Sequence, residues 1–230
     1  MSDPSKATAT RDRILAKIRR SLGAAPGDAA REMLVTSRIS THARHPLPAR
    51  TQLDPAALRA QFSSFLTRGF ATVVDVATRG DIPVAIATYL REHDQPPRLR
   101  MGADPRLAIL PWETAPGLER RLGRADPSDV VTLSYAVAAA SETGTLLLAS
   151  GPDNPVTLSF LPETHLVILE AATLKGSYED AFDIVRASLG PGVMPRTLNL
   201  ISGPSRTSDI GGKTVMGAHG PRHLAVFVAG

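Results

Sequence analysis

Apolar positions along the chain follow two spacings, and the switching between them predicts helices that alternate with strands. Over Lys6 to Leu22, the residues Ile14, Leu15, Ile18 and Leu22 recur at helical spacing, with Arg11, Arg13, Lys17, Arg19 and Arg20 on the other faces. A basic amphipathic helix of this kind suits packing on the domain, on a second copy of the chain, on another partner or at a membrane surface. Gly23 to Gln52 is rich in Pro, Ala, Arg and Ser without a clear period and predicts a linker or extended arm. Asp54-Pro55 then reads as a helix start, a carboxylate N-cap followed by Pro in the first turn. The stripe Leu58, Phe62, Phe65 and Leu66 continues that helix until Gly69 ends it. The division expected is therefore an N-terminal arm over residues 1–53 and one domain over residues 54–230.

Within the domain, Phe70 to Val76, Val130 to Leu133, Thr145 to Ala149, Leu166 to Leu169, Leu198 to Ile201 and Leu224 to Val228 are short apolar runs predicted as strands. Arg98 to Met101 and Leu107 to Leu110 are weaker strand candidates, and Tyr135 to Ala140 reads as one or two helical turns. Asp81 to His93 and Tyr178 to Leu189 carry helical stripes, with the acids Glu179, Asp180 and Asp183 opening the second. Strands that are apolar throughout are buried on both faces. Alternating them with helices predicts an α/β fold with a mostly parallel sheet flanked by helices and an N-terminal helical arm. Ligands in such sheets bind outside the carboxyl ends of the strands.

Composition narrows the chemistry. The 230 residues are 43% hydrophobic and 21% charged, which is ordinary for a globular chain. Cysteine is absent, so disulfides, thiolate-held zinc, iron–sulfur ligation and a cysteine nucleophile are excluded for this chain. The six histidines show no metal-ligand spacing. No apolar run reaches the roughly 20 residues of a membrane span, and no signal-peptide core is present, so a cytoplasmic protein is expected. A net charge of +4 and 4% aromatic residues give no footprint for nucleic-acid binding. The expectation is of no metal and no cofactor held by the chain itself.

Three polar, glycine-bearing loops remain. In Ser141-Glu142-Thr143-Gly144-Thr145, Gly144 permits close backbone approach, Thr143 and Thr145 offer hydroxyls, and Glu142 is a candidate acid–base or nucleophilic group beside an apolar strand. In Ser202 to Ile210, Gly203, Ser205, Arg206, Thr207 and Asp209 form a dense donor set, with Arg206 able to hold a carboxylate or phosphate in a fork. In Gly217 to Arg222, His219 is a candidate proton carrier, Gly220 exposes the backbone and Arg222 adds a second cation. The blander reading of each is a turn held by its own side chains. His165 and His223, at the starts of strands, read as locally bonded, and Trp112 reads as a packing anchor.

Taken in order, these loops resemble the lactate utilization family, the LUD domain, and most closely its protein C type. The matching stretches are AAASETGTLLLAS (Ala138 to Ser150), LSFLPETHLVIL (Leu158 to Leu169), ISGPSRTSDI (Ile201 to Ile210) and MGAHGPRHLAVFV (Met216 to Val228). The resemblance is specific over Val130 to Gly230. Relatives often carry an Arg where this chain has Asn154-Pro155-Val156. The resemblance implies a fold similar to the NagB/RpiA/CoA-transferase-like group. It further implies a subunit role in oxidising L-lactate to pyruvate with partner proteins that carry the iron–sulfur clusters; the donors of the loops themselves point to a small carboxylate or phosphate-bearing ligand. Two alternatives stand beside it. Ser141-Glu142-Thr143-Gly144 looks similar to the Ser-Glu-Asn-Gly segment of CoA transferases, which would make Glu142 the nucleophile of a stand-alone enzyme acting on a CoA ester or sugar phosphate. A non-catalytic scaffold or regulator docking through the N-terminal helix is the other.

Overall fold

The computed structural model describes residues 4–25, 27–190, 192–210 and 213–230, and divides the chain into Met1–Pro46 and Leu47–Gly230. The first unit contains α1 (Pro4–Ser21), which matches the predicted basic helix, and α2 (Ala29–Thr41). The second helix corrects the expected linker. Asp28 caps it by accepting from the Arg31 amide at 3.1 Å, and His42 closes it in the left-handed conformation at φ 45°. Its apolar residues Met33, Leu34, Val35 and Ile39 do not sit at one clean helical spacing, and all are exposed. A pattern without a stripe therefore hid a helix whose start and stop signals were present.

The second unit begins with residues 47–53, in which Thr51 is buried. Then comes α3 (Pro55–Arg68), capped by Asp54 and closed at Gly69 as predicted. Next are β1 (Thr72–Val76), α4 (Ile82–Glu92), β2 (Arg98–Met101), α5 (Pro105–Ala108) and β3 (Glu119–Leu122). The strand expected over Leu107 to Leu110 is instead the end of α5 and a turn. Asp104 accepts from the Arg106 amide at 2.9 Å, and Pro105 supplies a ready-made first-turn φ. The chain continues through β4 (Val131–Tyr135), β5 (Ala138–Ala140), β6 (Thr145–Ala149), β7 (Thr164–Glu170), β8 (Leu174–Lys175) and α6 (Tyr178–Leu189). It ends with β9 (Leu198–Ile201), β10 (Arg206–Ile210), β11 (Lys213–Met216) and β12 (His223–Ala229). The helical turns expected over Tyr135 to Ala140 are instead the end of β4, a bend at 136–137 and β5. Alanine favours helix in isolation, but here backbone pairing to Thr145–Leu147 and burial on both faces decide.

Six strands form a wholly parallel sheet in the order β1-β12-β7-β4-β2-β3. One face carries Leu133, Tyr135, Leu166, Ile168 and Phe227 against Ile82, Ile86 and Leu90 of α4. The opposite face carries Val167, Leu169, Val226 and Val228 against Phe62 and Leu66 of α3 and a second sheet, β8-β5-β6-β9. That smaller sheet is mainly antiparallel. Its residues alternate strictly: Ala139, Leu146 and Leu148 point to the large sheet, while Ala138, Ala140 and Leu147 point to Ala181 and Val185 of α6. The result is a mainly parallel α/β core with helices on its outer faces. A two-stranded ribbon, β10-β11, follows β9. Among the described residues no helix is long and apolar enough to cross a membrane.

Candidate functional site

A cleft of about 280 Å³ lies where the loop after β9 meets the loop before β12. Gly203, Ser205 and Arg206 line it from one side, and His219, Gly220 and Pro221 from the other. Ser205 ties the two loops together. Its amide donates to the Pro221 carbonyl at 2.8 Å, its carbonyl accepts from the Gly217 amide at 2.8 Å, and its hydroxyl accepts from the His219 amide at 3.2 Å. Gly203 holds φ 145°, and a Cβ there would stand 2.8 Å from the Gly69 carbonyl oxygen. This is the reason for glycine at that corner.

Arg206 lies over the ring of Phe70 at 5.2 Å, a cation–π contact that aims the guanidinium. No described carboxylate pairs with it. Phe70 itself sits at φ 68°, a conformation that costs a bulky residue about 1–3 kcal/mol and persists where the surrounding structure demands it. The His219 side chain is exposed at the cleft rim. Thr207 and Asp209 lie on β10, and the Asp209 side chain falls outside the described residues.

The floor holds a residue whose role the sequence pattern concealed. His165 is the second residue of β7, aligned with Thr132 of β4 and Leu224 of β12. Its ring is 1% exposed, its Nε2 is 3.0 Å from the Ser134 hydroxyl, and it lines the cleft. Burial holds its pKa down at about 3, so the imidazole is uncharged at neutral pH. The expectation of a locally bonded histidine is correct, yet the cleft position was missed. The available signal was the polar set Thr132, Ser134 and His165 in strands otherwise apolar, all on one face.

The Ser141–Thr145 loop does not line this cleft. It forms a 3-10 turn over Ser141–Thr143 between the antiparallel strands β5 and β6. Glu142 is buried, accepts from the Tyr178 amide at 3.1 Å and pairs with Arg50 at 3.0 Å. Ser141 donates to the Leu58 carbonyl at 2.8 Å. Gly144 holds φ 64°, and a Cβ there would stand 2.7 Å from the Phe65 Cβ. Thr143 and Thr145 share hydrogen bonds with the Tyr178 hydroxyl, and Thr145 reaches the Ser202 hydroxyl at 2.6 Å. A hydroxyl chain thus links the first loop to the edge of the second, while Glu142 faces its own partners. Arg222 is also set apart from Arg206: it faces Glu163 at 3.8 Å in a neighbouring recess that shares His219 and Gly220 with the cleft.

The carboxyl-end rule does not place this cleft. The loop Gly203 to Arg206 follows β9, which belongs to the small sheet. In the parallel sheet the cleft sits at the amino ends of β7 and β12, beside Ser159, Phe160, His165 and Leu224. Trp112 packs as expected, buried with its indole N–H donating to the Leu107 carbonyl at 2.8 Å.

The LUD domain profile matches residues 67–229, which contain all the cleft-lining residues. The chain belongs to the LUD domain family. Among its LUD relatives, a lactate utilization protein C from Bacillus licheniformis is 33% identical over 119 residues, covering 51% of this chain and 48% of that protein. A protein of the same name from Deinococcus radiodurans is 38% identical over 106 residues, covering 46% and 48% respectively. The matched region thus spans about half the length of these curated relatives. The crystal structure of a DUF162 family protein from Deinococcus radiodurans superposes with a TM-score of 0.59 at 23% identity, covering 77% of this chain and 99% of that one. That likeness shows the fold.

Proposed function

We propose that this LUD-domain chain is a subunit of an L-lactate oxidation system and binds a small carboxylate or other anion in the cleft between Gly203–Arg206 and His219–Pro221. The carrying observation is that Ser205 draws Arg206 and His219, residues of two separate loops, to one cleft in which no described carboxylate pairs with the guanidinium. Relatives named for lactate utilization supply the system, and the cleft supplies the chemistry. Arg206 holds the carboxylate head, and His219 at the rim is positioned to take a proton from a 2-hydroxyl group. Oxidising lactate to pyruvate releases two electrons and two protons. His219 would take the hydroxyl proton and solvent the second proton, and the two electrons would go to partner proteins carrying iron–sulfur clusters, because this chain has no thiolate to ligate one.

The test is isothermal titration of L-lactate into the full chain, alone and with its partner proteins, together with lactate-dependent reduction of an artificial electron acceptor. Arg206→Ala is expected to remove binding and acceptor reduction while the melting temperature stays nearly unchanged. Full activity of that variant would contradict the reading, as would absence of lactate binding in both settings.

A further inference from the structure

The cleft is larger and more apolar than lactate requires. Its volume is about 280 Å³. A three-carbon hydroxy acid fills only part of that space. The lining is also mixed. Arg206 and His219 supply polar groups, whereas Phe160, Leu200 and Leu224 supply apolar lining. Phe160 and Leu200 remain 45% and 48% exposed, which leaves apolar surface facing water inside a concave site. Covering such surface yields about 25 cal/mol per Å², and the single methyl group of lactate covers little of it. Below them the His165 ring is uncharged and bonded to Ser134, so the floor presents no charge to an incoming group.

We propose that the cleft takes 2-hydroxy carboxylates whose apolar body is larger than the methyl group of lactate, with the carboxylate at Arg206 and the body against Phe160 and Leu200. This rests on the reading of the cleft as an anion site and adds the size and orientation of what it holds. The Arg206 cation and the neutral floor orient the ligand, because setting its carboxylate on the floor, away from Arg206, would strand a charge without a partner.

The experiment is titration of the full chain with L-lactate, L-2-hydroxyhexanoate, L-phenyllactate and the uncharged 3-phenyl-1,2-propanediol. Affinity is expected to rise about tenfold or more from lactate to phenyllactate, the burial of an aromatic body being sufficient for that gain. The diol is expected to bind far more weakly. Phe160→Ala, at a half-exposed position, is expected to lower phenyllactate affinity several-fold more than lactate affinity, so that most of the phenyllactate advantage is lost. Equal affinity for lactate and phenyllactate, or lactate binding with phenyllactate excluded, overturns the size claim and leaves the anion site standing. A diol that binds as tightly as phenyllactate overturns both, as does a series in which nothing binds.

Discussion

Two loops of this chain carry the same kinds of residue and put them to different use. The Ser141–Thr145 turn holds an acid, three hydroxyls and a glycine, and each is engaged inside the protein: Glu142 with Arg50 and the Tyr178 amide, Ser141 with the Leu58 carbonyl, Thr143 and Thr145 with Tyr178. The Gly203–Arg206 segment holds a cation, a hydroxyl and a glycine, yet Arg206 rests on an aromatic face and lines a cleft shared with His219. The difference teaches that a polar loop is open to a ligand only where its own framework leaves donors unspent. In the first loop the hydrogen bonds close inward on α3 and α6. In the second they close around the Ser205 backbone and spare the guanidinium.

The comparison breaks most sharply at Gly144. Gly144→Ala combines a positive φ with a Cβ 2.7 Å from Phe65, so it is expected to destabilise the domain by about 2–4 kcal/mol. Chemical denaturation measures this, and a neutral outcome would show that the turn is not a packing element. Next is Arg206→Ala, expected to bring ligand binding below detection while stability stays within about 0.5 kcal/mol. Titration calorimetry and a melting curve together separate the two effects.

The pH dependence sharpens the cleft side. His165 has a folded pKa of about 3 against an unfolded value near 6.5. Between those values the unfolded chain binds a proton that the folded chain refuses. Stability is therefore complete above about pH 6.5 and falls as the pH drops toward 3. At pH 5 the loss is about 2 kcal/mol. Denaturation midpoints at pH 7 and pH 5 check the slope, which His165→Gln should flatten. Arg50→Ala removes a partner of Glu142 that is itself 57% exposed, so a loss of about 1 kcal/mol or less is expected, with ligand binding unchanged. The smallest effect is expected at Phe70→Asn, since asparagine tolerates a φ of 68° more readily than phenylalanine. Stability should hold or rise slightly, and binding should weaken a few-fold as Arg206 loses its aromatic rest.

Much of the fold was legible in the sequence because local signals and tertiary structure agree. Asp54-Pro55 and Gly69 bound α3, and the apolar runs at Thr145 to Ala149 and Leu198 to Ile201 are strands over those residues. The failures have specific causes. Ala138 to Ala140 is strand because it pairs with β6 and is buried between two layers, which residue propensity cannot foresee. α2 was hidden because none of its residues is buried, so no stripe marks it. β3 reads Glu-Arg-Arg-Leu at an exposed sheet edge, a sequence without an apolar signal.

The site was legible as loops and not as an assembly. Spacing along the chain cannot show that Ser205 bonds to Pro221 and His219, that Arg222 faces Glu163, or that Glu142 meets Arg50 across 92 positions. His165 was recognised as bonded and missed as a cleft residue, because its place on the floor depends on Ser134 and Leu224 from neighbouring strands.

The most direct measurement is a paired titration of the full chain with L-lactate and L-phenyllactate in the wild type, Arg206→Ala and Glu142→Gln. The account predicts that binding is lost in Arg206→Ala and retained in Glu142→Gln. Binding that survives in Arg206→Ala and vanishes in Glu142→Gln would contradict it and move the site to the Ser141–Thr145 loop.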